Sequence, residues 1–143
     1  MIERDFIMRM LQQFFEAIEK LIHRKKILQG EYPDYSEIQE SYNKMYDQFF
    51  HKPASYFYET DKEAILDNLL EEKYSERDTL ARVQMIAELL YQDGLIKKDI
   101  LEKCNLLEKA LFLLNYIENK SNTFSWEREQ KMADIKKLLV EFQ

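Results

Sequence analysis

The sequence predicts an all-α fold of about six antiparallel helices, a bundle or array of helical hairpins in one domain. Three observations predict it. Only two glycines and two prolines occur in 143 residues, far too few for the turns that a sheet would need. Apolar residues recur at spacings of three and four along nearly the whole chain, the period of one helix face. Capping residues stand at intervals before these runs. With 45% hydrophobic and 34% charged residues the chain can bury a core, unlike a disordered chain, whose composition cannot offset the ordering entropy.

The first helix is expected within residues 1–30. Ile7, Leu11, Phe14, Ile18, Leu21 and Leu28 form its central stripe, and Met8, Met10, Phe15 and Ile22 fall on the shoulders, which widens the apolar arc to roughly half the circumference. The opposite side carries Arg9, Gln12, Gln13, Glu16, Lys20 and His23. Acids in the first turn and Arg24, Lys25 and Lys26 in the last complement the helix dipole.

The second helix is expected within residues 34–52, after the turn around Pro33. Ser36 with Gln39, or Asp34 with Glu37, has capping-box spacing. Ile38, Tyr42, Met45, Tyr46, Phe49 and Phe50 make an aromatic stripe, and Pro53 ends it. Two uses of these rings are open: filling the core, or lining a groove for a peptide or ligand. Ala54 to Glu59 is expected as a connection whose rings, Tyr56, Phe57 and Tyr58, are partly buried.

Residues 60–143 are expected to form two helical hairpins. Thr60 with Glu63 has capping-box spacing before Ile65, Leu66, Leu69 and Leu70. Ser75 precedes a fourth helix with Leu80, Val83, Ile86, Ala87 and Leu90, which Gly94 is expected to terminate as a left-handed cap. Asp99 with Glu102 opens the fifth, whose apolar residues, Leu111, Leu113 and Leu114 among them, leave little polar surface and mark it as central. Cys104 lies in its apolar arc. Ser125 caps the sixth, which turns Met132, Ile135, Leu138, Leu139 and Phe142 inward.

The chemistry of the sequence is sparse. A net charge of −6 argues against nucleic acid held through a general basic field. Residues 1–30 carry +2 and the remainder −8, so charge can orient the first helix on the body. One cysteine excludes an intrachain disulfide and fits a reducing compartment. No window approaches the roughly 20 apolar residues of a membrane span, and Glu3, Arg4, Asp5 and Arg9 interrupt any signal-peptide core, so the expected location is the cytoplasm. His23 and His51 belong to no nucleophile–base arrangement, metal-ligand spacings are absent, and two glycines build no phosphate loop. The acidic stretch from Glu59 to Asp78 has no calcium-loop spacing. No enzymatic activity, cofactor or metal is expected.

The opening Ile2-Glu3-Arg4-Asp5-Phe6-Ile7-Met8-Arg9-Met10 resembles the start of a family of short bacterial all-helical proteins catalogued only as a domain of unknown function. That family opens with Asp, an aromatic, Ile or Leu, then Met-Arg. The resemblance covers this motif and, in outline, the later helices; it implies a bacterial protein and supplies no catalytic residue. The last four predicted helices also resemble tetratricopeptide hairpins, with starts near Asp61 and Lys97 about one repeat apart, although Ala64, Ala81, Ala87 and Ala110 share no single register. The expected function is a protein–protein interaction or scaffold module acting through helix surfaces, with a protein partner or a second copy of the chain. Met8, Phe15 and Ile22 are the expected interaction surface. The alternative is a peripheral membrane protein that uses the first helix, against which stand Glu16, Glu19 and the acidic body.

Overall fold

The structure, a computed structural model, describes residues 2–28 and 30–142, with side chains of the first helix described from Phe6 onward. The expected acids Glu3 and Asp5, and residues 2–5 of the family motif, therefore have side chains outside the described part. The described residues are all-helical, with seven helices: α1 (Ile2–Ile27), α2 (Ser36–Phe50), α3 (Ala54–Glu59), α4 (Lys62–Leu70), α5 (Glu76–Ile96), α6 (Ile100–Lys120) and α7 (Trp126–Glu141). They fall into two compact units, Met1–Glu59 and Thr60–Gln143.

In the first unit α1 packs on α2 through its central stripe. Ile7, Phe14 and Ile18 are at most 1% exposed. Phe14 meets Phe49 and Phe50 edge-on, with ring centroids 5.3 and 6.4 Å apart. The exposed pair Arg24–Glu37, at 2.7 Å, ties the last turn of α1 to the first turn of α2. Leu28 lies beyond the helix end and is exposed, because α1 stops at Ile27 before the stripe reaches it.

The start of α2 differs from both expected capping boxes. One carboxylate oxygen of Asp34 accepts from the Ser36 N–H at 3.0 Å and from the Ser36 hydroxyl at 2.6 Å, an Asx-type turn that competes with reciprocal capping. Glu37 is drawn to Arg24, and Gln39 donates to Asn43 and Tyr58. The aromatic stripe fills the interior: Tyr42 and Tyr46 are fully buried, with Phe49 and Phe50 beside them, which decides between the two uses of these rings. The expected connection after Pro53 is itself a short helix, α3. It is made regular by the packing of its rings: Phe57 is buried and stacks on Tyr46 with centroids 5.0 Å apart, while Tyr56 and Tyr58 are half-buried.

α2 ends on a left-handed residue that is not glycine. His51 has φ 56° and ψ 34°, and its N–H donates to the Asp47 carbonyl. A side chain at this conformation costs free energy that glycine avoids. His51→Gly is expected to raise stability by about 1 kcal/mol, read as a higher midpoint in denaturant unfolding.

In the second unit α6 packs against α4, α5 and α7, so the predicted fifth helix is central there. α5 and α6 approach closely, and the reason is Gly94. It does not end its helix as expected; α5 continues to Ile96, and Gly94 is buried. A Cβ placed there would lie 3.2 Å from Leu107 Cδ2 and 3.3 Å from Leu106 Cβ. The missing side chain thus serves helix packing and not a turn.

The ends of these helices are well specified. Ser75 Oγ accepts from the Asp78 N–H, Asp99 from Glu102 and Ser125 from Arg128, satisfying donors that the first turn leaves orphaned. The Thr60–Glu63 box does not form; Asp61 takes the N-cap position without a side-chain bond. Buried charge is paired: Arg82 is 3% exposed and donates twice to Glu72, from Nε at 3.1 Å and Nη2 at 3.0 Å. This anchors the acidic α4–α5 loop to α5. Lys131 pairs with Glu88 across α5 and α7. Burial pushes the Lys103 and Lys109 ammonium groups below the usual lysine range. Lys103 Nζ donates to the Leu95 carbonyl at 2.8 Å. Leu111 and Cys104, expected inside, are half-buried, whereas Leu107, Leu113 and Leu114 are buried; the apolar arc of α6 is wider than its neighbours cover.

Candidate interaction surface

Met8, Phe15 and Ile22 are seven residues apart. Each heptad drifts only about 20° around an α-helix, so the three lie along one line of α1. That line runs beside the buried stripe and not within it. Met8 is 56% exposed, and Phe15 and Ile22 are half-buried. The Phe15 ring meets the Phe14 ring edge-on at 5.1 Å, so the buried ring props the outer one in place.

Leu11 joins this line. The spacing alone places it in the central stripe, but it is half-buried while Ile7, Phe14 and Ile18 are not accessible. The reason is angular: at 100° per residue Leu11 sits about 60° from Phe14, on the Phe15 side, where the cover provided by α2 ends. The strip is therefore Met8, Leu11, Phe15 and Ile22, a spacing of three, four and seven that suits a second helix laid alongside.

Its outer border is polar. Gln12, Glu16, Glu19 and His23 are exposed, and Gln12 Nε2 donates to Glu16 Oε1 at 3.3 Å. Phe6 and Ile27 are also exposed, but they lie on other faces of α1 and do not extend the strip. The arrangement offers a narrow apolar ridge with a charged edge, bearing flexible Met8 next to rigid Phe15, a combination suited to surfaces that repack on binding. Among the described residues no group of three or more His, Cys, Asp or Glu side chains could hold a metal ion, and no helix is long and apolar enough to cross a membrane.

A second exposed apolar feature is not marked by the sequence pattern. Phe124 and Trp126, in the α6–α7 loop and at the start of α7, are 66% and 76% exposed. Their one signal in the sequence is position in a polar loop, outside any helical period. Compared with protein-family models, with curated proteins and with solved structures, the chain matches none of them.

Proposed function

We propose that this protein is a non-catalytic protein–protein interaction or scaffold module that works through helix surfaces, with the Met8–Leu11–Phe15–Ile22 strip of α1 as its docking ridge. The observation that carries the reading is the partial exposure of this strip beside a stripe that is already buried. α1 has enough buried residues to hold its place without Met8 or Phe15, so these are free to serve a partner. The simplest partner is a second copy, since a two-fold dimer would let each α1 cover the ridge of the other. A sequence over the second unit that resembles tetratricopeptide hairpins, and an N-terminal motif that resembles that of a family of short bacterial proteins, accord with a scaffold role.

The double substitution Met8→Gln with Phe15→Gln tests it. The variant is expected to keep its helicity and to lose its dimer or partner in analytical ultracentrifugation and pull-down. A steep fall in melting temperature would make the ridge part of the core. A wild-type protein that stays monomeric at high concentration and captures no partner would overturn the proposal, and loss of vesicle binding in the variant without loss of a protein partner would make α1 a membrane anchor.

A further inference from the structure

We draw no further inference here: the strongest candidate, the exposed Phe124–Trp126 ring pair at the α6–α7 loop, carries nothing, because the basic and acidic side chains at that end of the second unit offset one another and nothing in the structure shows what covers the rings.

Discussion

Leu107→Ala is expected to lower stability by about 2–5 kcal/mol, the range for a large side chain deleted from a filled interior. Leu107 has no accessible surface. It packs directly against Gly94 of α5, so the two helices are restrained from collapsing into the space it leaves. The expected readout is a shifted midpoint in denaturant unfolding with an unchanged slope. Leu111→Ala on the same helix gives the internal comparison. Leu111 is half-buried, less apolar area is at stake, and the expected loss is below about 2 kcal/mol. Equal losses at the two positions would mean that α6 does not turn its Leu107 face toward α5.

Gly94→Leu is expected to destabilise by about 3 kcal/mol, despite the gain of about 1 kcal/mol in helix propensity that replacing an interior glycine brings. Even the first added carbon would stand 3.2 Å from Leu107 Cδ2 and 3.3 Å from Leu107 Cγ, so a whole leucine must push α5 and α6 apart. Because this crowding and the Leu107 cavity occupy the same place, the effects should not add. The double variant Gly94→Leu with Leu107→Ala is expected to lose about 1–3 kcal/mol less than the sum of the single losses. Additivity within about 0.5 kcal/mol would show that the two residues do not touch. A glycine that served as a left-handed helix cap would behave differently: its replacement would cost about 1–2 kcal/mol through the backbone and would be insensitive to Leu107.

The proposed docking ridge is partly legible in the amino-acid sequence. The seven-residue spacing of Met8, Phe15 and Ile22 is a property of the chain, and so is their place at the edge of the stripe. How far α2 reaches around α1 is not. That reach exposes Met8, leaves Phe15 and Ile22 half covered, and moves Leu11 from the stripe to the ridge. Periodicity gives the direction of a side chain from the helix axis; the width of the cover depends on where the neighbouring helix runs. The aromatic pair Phe124 and Trp126 is hidden for a related reason, since a loop has no period from which burial can be judged.

By itself the sequence determined the helical class, the extent of most helices and three of their starts. These follow from local physics: scarce glycine and proline, apolar spacing, and Ser75, Asp99 and Ser125 placed where a first turn lacks acceptors. Tertiary structure alone decided the rest. It made Gly94 a packing residue because α6 passes over it. It drew Glu37 to Arg24 and Gln39 to Tyr58, and so dissolved two plausible capping boxes. It turned the segment after Pro53 into α3 because Phe57 could stack on Tyr46. In each case more than one local conformation is open to the chain, and contacts between residues distant in sequence select one of them.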